Sequence, residues 1–158
     1  MLNEVSGDIL NDEFNFICQQ VNCKGVMGAG LALKIRSKYP FVFTEYANVC
    51  KTEPNPLGHV LFSHASGLNA QTIVSMFAQD GYGRDKNYTD YKAFQHCLDV
   101  LADQLEMYSA NWTVAFPYKI GCGLAGGDWK IIKLMLEDFA QKVKQQVYIV
   151  RKIGYGEK

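Results

Sequence analysis

Short apolar runs alternate along the chain with stretches in which apolar residues recur every three or four positions. The short runs predict buried strands, at residues 2–6, 14–21, 59–63, 72–77, 113–117 and 147–150. The recurring pattern predicts four amphipathic helices: two after the second run, at 31–39 and 41–51, one after the fourth run, from 90 to 108, and one after the fifth run, from 132 to 143. Strands that alternate with helices indicate an α/β fold with a largely parallel or mixed sheet.

Composition and charge narrow the class of protein. The chain has 158 residues, 48% of them apolar and 20% charged, which is the composition of one ordinary globular domain spanning residues 1–158. Sixteen basic residues balance sixteen acidic ones, so the formal net charge is zero. This balance argues against nucleic-acid binding by bulk electrostatics, although a local basic patch stays possible.

The cysteines and the N-terminus indicate a reduced, cytoplasmic location. The five cysteines form no C-x-x-C pair, and the three histidines are not spaced around them as metal ligands, so no metal site is predicted. The first residues show neither a basic nor an apolar signal region, and no run reaches the length of a membrane span. We therefore expect a cytoplasmic protein with no membrane partner.

A glycine-rich stretch between the second strand and the first helix is the strongest candidate for a site. Asn22 ends the strand, and Gly25, Gly28 and Gly30 precede the good helix formers that begin at Leu31. A strand, a glycine-rich turn and a helix N-terminus together form an anion site, because backbone N–H groups and the helix dipole both favour negative charge. The alternative is a flexible turn without a ligand.

A second glycine-rich loop, at residues 121–127, leaves the strand at 113–117 and also enters a helix. Two such loops at the carboxyl ends of strands can hold a diphosphate between them, which indicates a nucleotide-like ligand. Gly121-x-Gly123-x-x-Gly126 matches the dinucleotide fingerprint, but the following strand ends in Arg151 and Lys152 where that fold needs an acidic ribose ligand. A hydride-transfer enzyme is therefore not favoured.

Three further candidates remain open from the residues alone. Cys122 is either a nucleophile activated by a helix N-terminus or a small packed residue under the loop, and the packing interpretation is favoured because Asp128 would repel a phosphate. Asp8 either caps a turn or accepts a hydrogen bond from an exocyclic amine. The polar loop at residues 78–90 combines Arg, Asp and Tyr, which is typical of functional loops, and Thr89 or Asp90 is the expected N-cap of the next helix.

With both loops in view, the chain resembles a macrodomain, the module that binds ADP-ribose. The resemblance rests on Val5-Ser-Gly-Asp-Ile9, on Gln20-Val-Asn-Cys-Lys-Gly-Val-Met-Gly-Ala-Gly-Leu-Ala32 and on Phe116-Pro-Tyr-Lys-Ile-Gly-Cys-Gly-Leu-Ala-Gly-Gly-Asp-Trp129. It covers nearly the whole chain and is nearest to single-domain macrodomains that remove ADP-ribose. The implied fold is a three-layer α/β sandwich with a mixed six-stranded sheet flanked by helices.

The resemblance also implies a set of site residues. Asp8 would read the adenine amine, with a backbone contact from Ile9, and Asn22 would bind the distal ribose as a catalytic residue together with Lys24. The diphosphate would lie between two groups of residues: Gly28, Ala29, Gly30 and Leu31 on one side, and Gly121, Cys122, Gly123, Leu124, Ala125 and Gly126 on the other. No cofactor is implied.

The implied function is hydrolysis at the distal ribose C1″ of an ADP-ribosylated acceptor or of ADP-ribose 1″-phosphate. The alternatives are a non-catalytic reader of ADP-ribose and an antitoxin-type enzyme that removes ADP-ribose from DNA. Two positions depart from the enzymes of this subgroup: residues 76–80 contain no lysine, and Ala125 stands where some carry an acid. Lys24 and Lys86 are then the remaining lysines near the expected site.

Overall fold

The computed structural model describes residues 2–11, 13–67 and 70–153. Met1 and residues 154–158, the two ends of the predicted domain, lie outside the described residues. The strands are β1 (Leu2–Gly7), β2 (Phe16–Val21), β3 (Val60–His64), β4 (Thr72–Phe77), β5 (Thr113–Pro117) and β6 (Gln146–Lys152). The helices are α1 (Gly30–Lys38), α2 (Pro40–Thr52), α3 (Tyr91–Leu105) and α4 (Trp129–Lys142).

The six strands form one mixed sheet in the order β1-β6-β5-β2-β4-β3. Neighbouring strands are parallel, except that β3 pairs antiparallel with β4. The predicted fold class, a mixed six-stranded sheet flanked by helices, is therefore confirmed.

Each face of the sheet carries its own apolar core, because successive side chains of a strand point to opposite faces. On β2, Phe16 and Cys18 join the core under α3 and α4, whereas Ile17 and Val21 join the core under α1 and α2. All four of these side chains are buried. The alternation along one short strand thus accounts for the three-layer arrangement of helices, sheet and helices.

Most predicted boundaries agree with the structure to within one or two residues. Asp90 is the N-cap of α3, as expected, and its carboxylate accepts a hydrogen bond from the Ala93 N–H at 3.0 Å. Phe14 was predicted within the second strand but precedes β2, and its ring packs 5.4 Å from the ring of Tyr148 on β6. The apolar pattern extends beyond the strand there because Phe14 packs on a neighbouring element without pairing in the ladder.

The strand order determines which loops meet. Since β5, β2 and β4 are adjacent and parallel, their carboxyl ends open at one edge of the sheet. We call the segments that follow them the first loop (residues 22–29, after β2), the second loop (residues 118–128, after β5) and the third loop (residues 78–90, after β4). Among the residues that the structure describes, no helix combines the length and hydropathy that crossing a membrane requires.

Candidate functional site

A cleft of about 530 Å³ lies at this edge of the sheet, between the three loops. Its volume is within the range of pockets for small molecules and cofactors. The first loop and the start of α1 line it with Asn22, Val26, Gly28, Ala29, Gly30, Leu31 and Ala32. The second loop with the end of β5 contributes Pro117, Tyr118, Lys119, Ile120, Gly121, Gly123, Leu124 and Ala125. The floor and the third loop contribute Gln19, Gln20, Val21, Gln79, Tyr82, Gly83 and Arg84.

A buried tyrosine on α2 holds the first loop in place. Tyr46 is 0% exposed, and its hydroxyl oxygen accepts hydrogen bonds from the N–H groups of Gly25 and Val26, each at 3.1 Å. The single proton of this hydroxyl is shared between two acceptors of Asn22, the side-chain oxygen at 2.7 Å and the carbonyl oxygen at 2.8 Å. Burial, and next the neighbouring Cys50, raise the pKa of Tyr46, so the hydroxyl stays protonated and able to donate.

Asn22 is therefore part of the loop's own hydrogen-bond network. Its side-chain oxygen also accepts from the Lys24 N–H at 2.9 Å, and its side-chain nitrogen donates to the Val26 carbonyl at 2.8 Å. The residue is 7% exposed yet lines the cleft. One N–H of the amide is not used in these bonds and is available to a ligand.

The second loop is supported mainly by its own backbone. The N–H groups of Cys122, Gly126 and Gly127 donate to carbonyls within the loop, at 2.9, 3.1 and 2.8 Å. The Thr89 hydroxyl donates to the Gly121 carbonyl at 2.6 Å and accepts from the Gln20 side chain at 2.9 Å. This small network ties the second loop to β2 and to the third loop.

Lys119 has a special backbone conformation at the edge of the cleft. Its φ of 59° is the one positive value for a non-glycine residue among those that the structure describes. A side chain in the left-handed region is strained, and such strain clusters at functional sites. It turns the chain sharply where β5 runs into the second loop.

The charges that line the cleft are positive. Arg84 and Lys119 are its charged side chains, and no carboxylate is among the described residues that line it. Since the whole chain has a net charge of zero, this is a local excess of positive charge. Together with the start of α1 at Gly30, it favours an anionic ligand.

Nine of the fourteen residues that the sequence predicted for the site line the cleft. They are Asn22, Gly28, Ala29, Gly30, Leu31, Gly121, Gly123, Leu124 and Ala125. The other five do not line it and are Asp8, Ile9, Lys24, Cys122 and Gly126.

Lys24 does not line the cleft and pairs with the third loop. Its ammonium group lies 3.5 Å from the carboxylate of Asp80, and both side chains are more than half exposed. The catalytic role assigned to Lys24 stays a prediction. Two carboxylates of the third loop that could also transfer protons have partners too: Asp85 accepts from the Tyr88 hydroxyl at 2.6 Å, and Asp90 caps α3.

Cys122 has the environment of a packed residue. Burial, and next the charge of Asp128, raise the pKa of its thiol to about 11, so that the thiol is protonated at neutral pH. Its Sγ–H donates to the Ile120 carbonyl at 3.4 Å. An activated nucleophile needs the opposite shift.

Asp8 makes the hydrogen bonds of a turn cap, which was the first of its two interpretations. Its carboxylate accepts from the Leu10 N–H at 3.0 Å and from the Asn11 side chain at 2.8 Å. The side chain is exposed, whereas Ile9 is buried in the core under α1 and α2. Adenine recognition by Asp8 stays a prediction, because turn capping and ligand contact can coexist in one exposed carboxylate.

Sequence reasoning missed Tyr46, which supports the first loop, and four residues that line the cleft: Tyr82, Arg84, Tyr118 and Lys119. A signal for Tyr46 existed: a tyrosine among the apolar residues of a predicted helix must find a partner for its hydroxyl. The third loop was expected to be functional, but its spacing gave no means of telling Tyr82 and Arg84 from Asp80 and Lys86.

Comparisons with known proteins agree with this fold and cleft. Residues 18–134 match the family model described as Macro domain. A DNA ADP-ribosyl glycohydrolase of Mycobacterium tuberculosis is 28% identical over 143 residues, which cover 90% of this chain and 40% of that protein. An ADP-ribose 1″-phosphate phosphatase of Meyerozyma guilliermondii is 26% identical, with 94% of this chain and 98% of that protein covered.

Among solved structures, the macrodomain of Mycobacterium tuberculosis DarG superposes with a TM-score of 0.81 at 25% identity. The superposition covers 96% of this chain and 97% of that one. The chain thus spans about 40% of the length of the mycobacterial glycohydrolase and nearly all of the Meyerozyma guilliermondii phosphatase.

Proposed function

The chain belongs to the macrodomain family, and from this membership and the cleft we propose that it binds ADP-ribose and hydrolyses the bond at the distal ribose C1″. The observation that carries the proposal is the pairing of two glycine-rich loops across one cleft at the carboxyl ends of β2 and β5. Both families of relatives, the glycohydrolases and the phosphatases, are named for reactions on ADP-ribosyl compounds.

The diphosphate is placed between the two loops. Gly28–Leu31 would face it from the start of α1, and the second loop would face it with Gly121, Gly123, Leu124 and Ala125. Cys122 and Gly126 would support the turn from behind. Gly121 has a φ of 75° and Gly30 a φ of 57°, so both turns have backbone conformations that bring N–H groups toward a ligand. Lys119, at the edge of the cleft, would add positive charge beside the diphosphate.

The adenine is placed toward β1. Since β6 lies between β5 and β1, Asp8 is two strand spacings, about 10 Å, from the start of the second loop. A nucleoside that extends from the diphosphate past Tyr118 spans that distance, and its amine would donate to Asp8. Ile9 would contribute a backbone contact.

The distal ribose is placed beside Asn22, whose remaining side-chain N–H would donate to a ribose hydroxyl. In hydrolysis, water attacks C1″, the bond from C1″ to the acceptor breaks, and one proton of the water passes to the acceptor. C1″ develops positive, oxocarbenium-like charge, which the nearby diphosphate would offset. Because no carboxylate is among the described lining residues, positioning by Asn22 and the loops would carry most of the catalysis.

A reader without activity is the second candidate. It is favoured by the same shortage of groups that could transfer a proton: the described lining residues include no histidine, aspartate or glutamate. The three groups expected to transfer protons have partners within the chain: Lys24 pairs with Asp80, Asp85 accepts from the Tyr88 hydroxyl, and Asp90 caps α3. A cytoplasmic location is part of the proposal for both candidates.

Two measurements test the proposal. Calorimetry with ADP-ribose should show binding that falls by about 1–3 kcal/mol in Asp8→Ala, as for a lost hydrogen bond to a charged group. Turnover of ADP-ribosyl-glutamate, ADP-ribosyl-thymidine and ADP-ribose 1″-phosphate should fall about 10²-fold in Asn22→Ala. Binding without turnover of any of the three compounds would leave the reader, and absence of binding would refute both candidates.

A further inference from the structure

We propose that Tyr82 and Arg84 form an acceptor subsite that takes a nucleotide of a nucleic-acid strand. The inference rests on the proposed function, because it names the acceptor from which ADP-ribose would be removed. It assigns to two residues of the third loop the choice between nucleic-acid, protein and phosphate acceptors.

The third loop is fixed at its base and against both ligand loops. Gln79 and Thr89 pair as an antiparallel bridge that closes the base. The Cys23 N–H donates to the Asp80 carbonyl at 2.9 Å, which joins the loop to the first loop. On the other side the Tyr88 N–H donates to the Ala125 carbonyl at 2.7 Å. The loop therefore holds its tip, residues 82–84, at a defined place beside the cleft.

The other charged side chains of this loop already have partners within the chain. Asp80 pairs with Lys24 at 3.5 Å, and Asp85 accepts from the Tyr88 hydroxyl at 2.6 Å. The ammonium group of Lys86 lies 5.1 Å from the centre of the Tyr88 ring, and Asp90 caps α3.

Arg84 differs from all of these residues. Within the described ranges it forms no hydrogen bond, ion pair or ring contact, and it lines the cleft. A guanidinium group with five donors and no acceptor beside an anion-binding cleft is a site for a phosphate or carboxylate.

Tyr82 adds a flat apolar surface next to this charge. Its side chain is 55% exposed and lines the cleft, and within the described ranges its ring packs on no other ring. An exposed aromatic ring beside an unpaired arginine is the combination that binds nucleotides of a single strand, because the base stacks on the ring and the guanidinium contacts the phosphate. A carboxylate or a phosphate monoester would use Arg84 and leave the ring unused.

The strand order places this pair at the acceptor end. The second loop follows β5 and the third loop follows β4, on either side of β2, and Tyr118 and Tyr82 both line the cleft. If the nucleoside of ADP-ribose extends past Tyr118 toward β1, the distal ribose and its acceptor point toward Tyr82 and Arg84.

The test compares binding of three probes by fluorescence anisotropy and calorimetry, so it does not depend on turnover. The probes are free ADP-ribose, ADP-ribosyl-thymidine and a short single-stranded DNA that carries ADP-ribose on one thymidine. The variants are Arg84→Gln, Tyr82→Ala and Tyr82→Phe. Lys86→Gln is the matched control, since it removes one positive charge from the same loop at a side chain that does not line the cleft.

We expect the wild type to bind the DNA probe at least tenfold more tightly than free ADP-ribose. Arg84→Gln should remove most of that gain and lower the salt slope by about 0.7, as for one phosphate contact on a single strand. Its affinity for ADP-ribose and for ADP-ribosyl-thymidine should stay within twofold. Tyr82→Ala should weaken both thymidine-bearing probes, whereas Tyr82→Phe and Lys86→Gln should match the wild type.

Three results would overturn the subsite. In the first, the wild type binds the DNA probe and free ADP-ribose equally well. In the second, Arg84→Gln loses the same affinity for every probe, which would assign Arg84 to the ADP-ribose site. Tighter binding of an ADP-ribosyl-glutamate peptide than of the DNA probe would assign a protein acceptor instead. Absence of ADP-ribose binding by the wild type would refute the proposed function itself and this inference with it.

Discussion

The two glycine-rich loops have similar composition but different means of support. The first loop is held by one buried side chain from another element, Tyr46 on α2, which binds the N–H groups of Gly25 and Val26. The second loop is held by hydrogen bonds among its own backbone groups. Its glycines leave room for the close backbone contacts that these bonds require.

The glycines of the two loops accordingly serve different purposes. A Cβ on Gly25 would contact nothing within 4 Å, so that glycine is needed for its φ of 83°. A Cβ on Gly127 would lie 2.6 Å from the carbonyl oxygen of Gly121, so that glycine is needed for space. Loops that look alike in sequence should therefore fail for different reasons when they are mutated.

The largest effect is expected from removing the support of the first loop. Tyr46→Phe leaves the part-buried N–H groups of Gly25 and Val26 without their acceptor and Asn22 without its donor, and it should lower the free energy of unfolding by about 3 kcal/mol. It should also weaken the binding of ADP-ribose more than the binding of ADP, because ADP lacks the distal ribose that we propose beside Asn22. Chemical denaturation and calorimetry with both ligands measure the two effects.

Tyr39→Phe is the matched control for that variant. Tyr39 donates one hydrogen bond, to the Gln71 side chain at 2.6 Å, and does not line the cleft. Loss of this hydrogen bond should lower the free energy of unfolding by about 1 kcal/mol and leave the preference for ADP-ribose over ADP unchanged. If Tyr46→Phe behaved in the same way, the first loop would not depend on α2.

The next effect is expected from filling the space in the second loop. Gly127→Ala places a methyl group against backbone that cannot move without breaking the hydrogen bond from Gly127 to Gly121, so unfolding should become easier by about 2 kcal/mol. Gly123→Ala is the control, because a Cβ there meets nothing within 4 Å. Equal stability of the two variants, compared by thermal unfolding, would contradict the spatial argument.

A smaller effect is expected at Gly25, where only the backbone conformation matters. Gly25→Ala should lower the free energy of unfolding by about 1 kcal/mol, because a side chain is disfavoured in the left-handed region. Gly28→Ala, at a residue without a positive φ and with its nearest atom at 3.7 Å, should stay within a few tenths of a kcal/mol of the wild type. Urea titrations of both variants decide the point, and a larger loss at Gly28 would reverse the assignment.

The smallest effect is expected at Cys122. Burial raises the pKa of its thiol from 9.0 to about 11, so the folded state keeps a proton that the unfolded state releases in that range. The stability due to this thiol is complete below pH 9 and is lost as the pH rises to about 11. Cys122→Ser should therefore lose less stability than the wild type between pH 9.0 and about 11, while turnover changes only a few-fold. A loss of turnover on the order of 10³ would make Cys122 a nucleophile.

The sequence alone determined the elements and most of the candidate site. The alternation at Phe16–Val21, the glycines of both loops and the N-cap at Asp90 all act over a few residues, and local patterns of this kind can be read directly. Nine of the predicted residues line the cleft for the same reason, since each lies in one of two short motifs.

Only the tertiary structure decided which distant residues meet at these motifs. The hydroxyl of Tyr46 reaches the first loop from α2, 24 residues beyond Asn22, and Asp80 pairs with Lys24 from the end of a strand adjacent to β2. Arg84 and Lys119 flank one cleft because β5, β2 and β4 are neighbours in the sheet. These contacts depend on strand order, and strand order results from the packing of the whole core, which no single stretch of sequence encodes.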